Sequence, residues 1–218
     1  LIHLAGGIGQ DGDFTNYFKM ETSYFDPVLW HNNKQRVYKG YCSDIFTQNA
    51  IDFIEKNHDQ PFFCYLSFNA PHTPLQVPDK YYQIYKGIDP SEGIDSKLLP
   101  LDDMNEKSDE DARRVYAMVT NIDDNLNQLF QQLEVLGIEE NTIIIFMTDN
   151  GPQQARFVGG MRGRKSSVHR GGIRVPFFIS YPSKYIGNTE TNQMAAHIDL
   201  VPTLSQLCGA PLPQDRKI

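Results

Sequence analysis

The chain lacks what would mark it for a membrane, a nucleic acid or a disulfide scaffold. Its 218 residues include three cysteines and one tryptophan, and 20 Lys+Arg stand against 27 Asp+Glu for a net charge of −7. Cysteines this few and scattered, Cys42, Cys64 and Cys208, build no disulfide framework, and none has metal-site spacing. Cys64 falls inside an apolar run and Cys208 near the end of a helical pattern, so both read as small buried hydrophobes. No run approaches the roughly 18 apolar residues of a membrane span. An acidic balance gives no support to a nucleic-acid or membrane-surface partner, although a local cationic pocket is compatible with it. The sequence starts at Leu1 without a basic and apolar leader, so any targeting peptide is expected to have been removed or to lie outside this stretch, and the terminus does not give the localisation. Internal repeats and low-complexity tracts are missing as well. What is left, 40% hydrophobic and 22% charged, is ordinary globular composition.

The rest is organised around one stretch, Asn141 to Pro182. Ile143-Ile144-Ile145-Phe146-Met147 is an unbroken β-branched and aromatic block, which predicts a central strand buried on both faces of a mostly parallel sheet. It ends in Thr148-Asp149-Asn150-Gly151-Pro152, which sets a carboxylate beside a carboxamide at a strand's carboxyl end, where open α/β sheets bind ligands. Two hard oxygen donors there suit Ca²⁺ or Mg²⁺; the same four residues, Asp-Asn-Gly-Pro, are equally good turn formers. Beyond them Gly159, Gly160 and Gly163 alternate with Arg156, Arg162, Arg164 and Lys165, and Arg170-Gly171-Gly172 leads into a second apolar run, Val175 to Tyr181. A cationic loop next to an acidic pair fits an anionic substrate such as a sulfate or phosphate ester. On charge alone it also fits a solvated basic loop.

The remaining elements follow in chain order. Leu1 to about Asn33, rich in Gly, Asp, Asn and Tyr, reads as surface loops with short strands near Val28 to Trp30. Ile45, Phe46, Ala50, Phe53 and Ile54 recur at helical spacing, with Ser43 or Asp44 available to cap the first turn. Phe62 to Phe68 reads as a second strand, ending in Asn69-Ala70-Pro71-His72-Thr73-Pro74, where flanking prolines restrict the backbone around His72. Tyr81 to Tyr85 is expected to form a helical turn within an otherwise loop-like region from Asp79 to Asp109. Val115, Met118, Val119, Ile122, Leu126, Leu129, Leu133 and Leu136 define the clearest helix, closed by Gly137, with Asp123 and Asp124 on a solvated or locally bonded face. Asp199 is placed to cap a last helix with Pro202 in its first turn and Gly209 at its end.

The run TDNGP followed by MRGRKSSVHRGGIRVPFFI resembles the metal-and-lysine segment of the type I sulfatases, in the alkaline phosphatase superfamily. GYCSDIFTQNAIDFIEKN, PFFCYLSFNAPHTPLQVP and AHIDLVPTLSQLCGAPLP agree with that family in order, so the resemblance extends from about Tyr24 onward. It implies an alkaline phosphatase-like α/β domain, a mostly parallel sheet flanked by helices, of which residues 1–218 are the later part. It implies a sulfuric ester hydrolase acting on a sulfate ester, expected to be carbohydrate, in a periplasmic, secreted or lysosomal setting. Asp149 and Asn150 correspond to half of a Ca²⁺ site, with Mg²⁺ as the alternative ion. Lys165 corresponds to the sulfate-binding cation, with Arg162 beside it, and His72 to the partner of the bridging ester oxygen and acid toward the leaving group.

Two departures qualify the resemblance. Family members use a formylglycine made from the Cys or Ser of a Cys/Ser-x-Pro/Ala-x-Arg motif, and none of Cys42, Cys64 or Cys208 stands in one. The family's Asp-Asp metal pair and Lys-x-His element are missing too, so the nucleophile is expected upstream and this chain alone is expected to be inactive. Arg170 replaces the usual Glu before Gly-Gly, which puts the local loop geometry or its charge balance in question, though not the correspondence of Lys165. Two rival readings stand beside this one: a phosphodiesterase or phosphatase of the same superfamily, and a non-catalytic module that binds sulfated glycans.

Overall fold

A computed structural model describes residues 23–32, 34–92, 95 and 105–212. Most of the loop region expected from Leu1 to about Asn33, and part of the one expected from Asp79 to Asp109, lie outside these. Two compact units divide the chain, Leu1–Ser183 and Lys184–Ile218.

The first unit is built on one long helix. Helix α3 spans Glu106–Val135 because its start is doubly capped: Asn105 Oδ1 accepts the amides of Lys107 and Ser108, and Ser108 Oγ accepts the amide of Asn105. Gly137, at φ 67°, stops it in the left-handed conformation that glycine adopts without penalty. Ala112, Val115, Met118, Ile122 and Leu133 form its buried face, while Val119, one residue round the turn, is 48% exposed. Helices α1 (Cys42–Asn57) and α2 (Asp79–Tyr85) both pack on that face. Between them they bury Tyr41, Phe46 and Tyr81 in one cluster with Met118, Ile122 and Tyr24.

Side-chain capping of α1 is not what holds it: Tyr41 is its N-cap residue and makes no such bond. Asp44 instead reaches across to α3, where its Oδ1 accepts the Nδ2 groups of Asn121 and Asn125, each at 2.8 Å. Both asparagines are essentially fully buried, at 0% and 2% exposure, so the carboxylate satisfies donors that have no water to turn to. Asp124 is likewise a structural contact, accepting the Tyr81 hydroxyl at 2.8 Å.

The strands depart from expectation. Strands β1 (Val28–His31) and β2 (Lys34–Val37) form an antiparallel hairpin. Strand β3 (Ile144–Met147) pairs with β4 (Phe177–Ser180), also antiparallel, Ile145 opposite Ile179 and Phe146 opposite Phe178. Among the described residues no mostly parallel sheet forms. Nor is β3 buried on both faces: its residues are half-buried, and Phe178 beside it is 65% exposed. Its apolar run is that of a doubly covered strand, but among the described residues only one of its edges finds a partner. Residues 62–68 alternate half-buried with exposed, as a strand does, yet among the described residues no neighbouring strand completes a ladder and they are not a β-strand.

A short helix α4 (Arg170–Ile173) precedes β4. The second unit contains a 3₁₀ turn, His197–Asp199, and helix α5 (Leu200–Cys208), closed by Gly209 at φ 66°. Asp199 contributes there by accepting the Ala196 amide at 2.7 Å. Cys208 is exposed and Cys64 half-buried; Cys42 is the buried thiol. A unit of this size has too little interior to hide the Cys208 side chain.

Candidate active site

Three backbone crossings at glycine build the site. Strand β3 delivers Thr148-Asp149-Asn150-Gly151 at its carboxyl end. The Gly151 amide donates to Gly172 O at 2.9 Å, the Lys165 amide to Pro152 O at 2.9 Å, and the Gly171 amide to Arg162 O at 2.7 Å. The acidic turn, the cationic loop and the start of α4 are thereby tied edge to edge. Side chains are excluded at these crossings. A Cβ on Gly151 would run into Gly171 O, one on Gly171 into Gly163 O, and one on Gly172 into Ser167 O. Gly163, at φ 90°, turns the loop back between Arg162 and Lys165, in backbone that other residues rarely adopt. Arg170 itself is exposed. The clamp rests on the two glycines after it and on main-chain bonds, and none of these bonds involves the Arg170 side chain.

Asp149 is exposed and Asn150 half-buried. Asp149 Oδ1 accepts the Asn150 amide at 2.8 Å, which fixes the carboxylate while leaving its other oxygen unclaimed among the described residues. That oxygen and the Asn150 carboxamide oxygen are hard donors of the kind Ca²⁺ and Mg²⁺ take. Two such donors fit a divalent cation as part of its shell. Among the described residues no group of three or more His, Cys, Asp or Glu side chains gathers to complete one. Lys165 is half-buried, and Arg162, on the other side of Gly163, is exposed.

His72 stands on a separate support, the turn after residues 62–68. Its amide donates to Asn69 O at 2.9 Å, and its Nδ1 lies 2.8 Å from Thr73 O. A carbonyl can only accept, so Nδ1 carries the proton and Nε2 is the nitrogen left for another partner. The peptide bonds Ala70–Pro71 and Thr73–Pro74, on either side of His72, are both cis. Tyr24 is 0% exposed, and its hydroxyl donates to His72 O at 2.9 Å. Burial, with help from the neighbouring Tyr41 and Cys42, pushes the Tyr24 pKa far up, so the phenol keeps the proton that it donates. Gln76 braces the same turn: Oε1 accepts the Tyr24 amide at 2.7 Å and its carbonyl accepts the Tyr41 hydroxyl at 2.9 Å. Sequence reasoning missed Tyr24 and Gln76 as the anchors of His72. The first lies 48 residues from its partner, and nothing but aromatic density marks it. The structure thus joins Asp149, Asn150, Arg162 and Lys165 through one clamped loop and holds His72 on a braced turn of its own.

This geometry can be set beside known proteins. The solved structure of Ps i-CgsB in complex with k-i-k-neocarrahexaose matches 87% of the chain with a TM-score of 0.71 and 29% identity. The fold is accordingly that of the sulfatase class of alkaline phosphatase-like α/β proteins. The sulfatase family model matches residues 7–210, and the chain belongs to the sulfatase family. Among curated relatives, the uncharacterized sulfatase YdeN of Escherichia coli K12 is 29% identical across 94% of the chain, and an arylsulfatase of Hemicentrotus pulcherrimus is 30% identical across 80%. The chain spans 34% and 28% of the lengths of those two relatives, and 39% of Ps i-CgsB. No helix among the described residues is long and apolar enough to cross a membrane.

Proposed function

We propose that residues 1–218 are the later part of a sulfatase catalytic domain that hydrolyses sulfate esters of carbohydrates. The observation that carries this reading is the clamp: the Lys165 amide bonded to Pro152 O holds a cationic loop against the Asp149-Asn150 turn. In this reading Lys165 and Arg162 bind the sulfate oxygens through charge-assisted hydrogen bonds. Asp149 and Asn150 would hold a Ca²⁺ ion, with Mg²⁺ as the alternative. Bound there, the cation supplies charge neutralisation and polarisation of the sulfate. The nucleophile, a formylglycine by family resemblance, would come from another segment of the polypeptide, and the chain by itself would not turn over. His72 contacts the bridging oxygen through Nε2 and, when protonated, gives that proton to the departing alkoxide, while Lys165 stabilises charge on the sulfate oxygens. A carbohydrate substrate is supported by Ps i-CgsB, whose structure holds an oligosaccharide.

The test is a comparison of leaving groups in the full-length polypeptide. An alkyl sugar oxygen needs a proton as it departs, whereas nitrophenolate does not. His72→Ala is expected to lower kcat on a sugar sulfate by about 10²- to 10⁴-fold and on nitrophenyl sulfate far less. Equal losses on the two would remove the acid role from His72.

A further inference from the structure

The cationic loop holds charges that the sulfate contacts above do not use, and Arg156 is one of them. Arg156 lies four residues beyond Pro152, the residue whose carbonyl takes the Lys165 amide. Four residues span at most about 14 Å, so the Arg156 backbone stays close to the clamped turn. Unlike exposed Arg162, Arg156 is half-buried, next in sequence to buried Ala155. A guanidinium presents five N–H donors. Among the described residues Arg156 uses one of them, from Nη1 to Gln154 Oε1, and at 3.3 Å that bond is long. None of the ion pairs formed by the described residues includes it.

Its neighbours extend the same character. Burial raises the pKa of Tyr116 on α3, and the Arg156 guanidinium lies close enough to oppose that rise in part. Neither the Tyr116 hydroxyl nor the Gln154 amide nitrogen has a hydrogen-bond partner among the described residues. Asp109, two turns earlier on α3, influences Tyr116 but forms no ion pair with Arg156. Guanidinium, carboxamide and phenol therefore assemble as a set of donors without an anion. Removing a guanidinium from water is expensive unless an anion replaces the lost hydration. Burial lowers the Arg156 pKa, yet an arginine side chain is not deprotonated in proteins, so the positive charge persists.

We propose that Arg156, with Gln154 and Tyr116, binds a second anionic group of the substrate, a sulfate or carboxylate carried near the ester to be cleaved. The residue thus selects for carbohydrates bearing more than one negative charge. The planar fork of arginine suits either group, because both offer paired oxygens for two parallel hydrogen bonds. This assignment rests on the sulfatase reading for the first anionic group, and supplies a specificity that Lys165 alone does not.

Calorimetric titration of the 218-residue chain tests it, with matched oligosaccharides carrying two sulfates, one sulfate plus a uronate, or one sulfate. The wild-type chain is expected to bind one of the doubly charged ligands more tightly than the singly charged one. Arg156→Gln should abolish that preference by weakening the doubly charged ligand roughly ten- to hundredfold, with the monosulfate unchanged, and Arg156→Lys should fall between. Whichever doubly charged ligand loses affinity identifies the second group as sulfate or carboxylate. No preference in the wild-type chain, equal losses on all ligands, or a lowered thermal midpoint with the preference intact would overturn the proposal, the last by assigning Arg156 to a carboxylate of the protein. Lys165→Ala run in parallel separates this inference from the sulfatase reading: it should weaken every ligand while the Arg156-dependent preference remains.

Discussion

Replacing Gly171 with alanine tests the clamp that defines the candidate site. The new Cβ would run into Gly163 O and stand 2.9 Å from Arg162 O, both main-chain atoms with no side-chain freedom to retreat. Relief requires the two backbones to part by on the order of 1 Å, and overpacking of that kind costs about 1–3 kcal/mol. The same displacement would stretch the 2.7 Å bond from the Gly171 amide to Arg162 O and carry Arg162 and Lys165 away from Asp149 and Asn150. A misplacement of about 1 Å in a positioned catalytic group costs on the order of 10²-fold in rate. Urea titration of the chain should show the stability loss, and sulfate release by the full-length polypeptide the rate loss. Gly87 is the control, since a Cβ there would meet nothing within 4 Å and its backbone is not left-handed. Gly87→Ala should be neutral or slightly stabilising, because it narrows the unfolded ensemble. If Gly171→Ala behaves like Gly87→Ala in both assays, the clamp does not position the site.

Asp44→Ala should destabilise the chain by about 2–4 kcal/mol in urea titration, because it strips the acceptor from the amides of buried Asn121 and Asn125. Asp52→Ala, at an exposed contact with Gln48, should change stability by no more than about 0.5 kcal/mol. Burial pushes the Cys42 thiol up to about 12, from an ordinary value of 9.0. The folded state thus holds this proton more tightly than the unfolded chain does, and the resulting stability is full below pH 9.0 and is lost as pH climbs from there toward 12. Denaturation between about pH 8 and 11 should show a steeper alkaline loss for the wild type than for Cys42→Ala, and parallel curves would contradict the assignment.

What was legible in the sequence was local. The period of Val115, Met118 and Ile122 marked α3, Gly137 marked its end, and the Ile143-to-Met147 block marked β3, because each signal lies within a few residues of the structure it produces. The site loop was legible through its glycines and charges, although the reason for the glycines, three main-chain crossings, is visible only in space. Long-range partners were not. The sequence shows Asp44 as a cap candidate, and its actual partners lie 77 and 81 residues away. Residues 62–68 show the limit from the other direction: their alternation is that of a strand, but a strand exists only with a neighbour to bond, and none is among the described residues. The same dependence on a neighbour explains why an apolar block expected at the centre of a parallel sheet lies in an antiparallel pair.

Whether Lys165 serves a sulfate ester decides between a sulfatase site and a merely cationic loop. The direct measurement is sulfate release from a sulfated oligosaccharide by the full-length polypeptide, wild type against Lys165→Ala, with thermal unfolding recorded for both. If Lys165 binds the sulfate as proposed, its contact strengthens as charge redistributes toward the leaving oxygen in the transition state, so kcat should fall by about 10²- to 10³-fold and by more than KM rises, with the unfolding midpoint unchanged. Release at the wild-type rate by the Lys165→Ala protein, or no release of sulfate by the wild type, would contradict it.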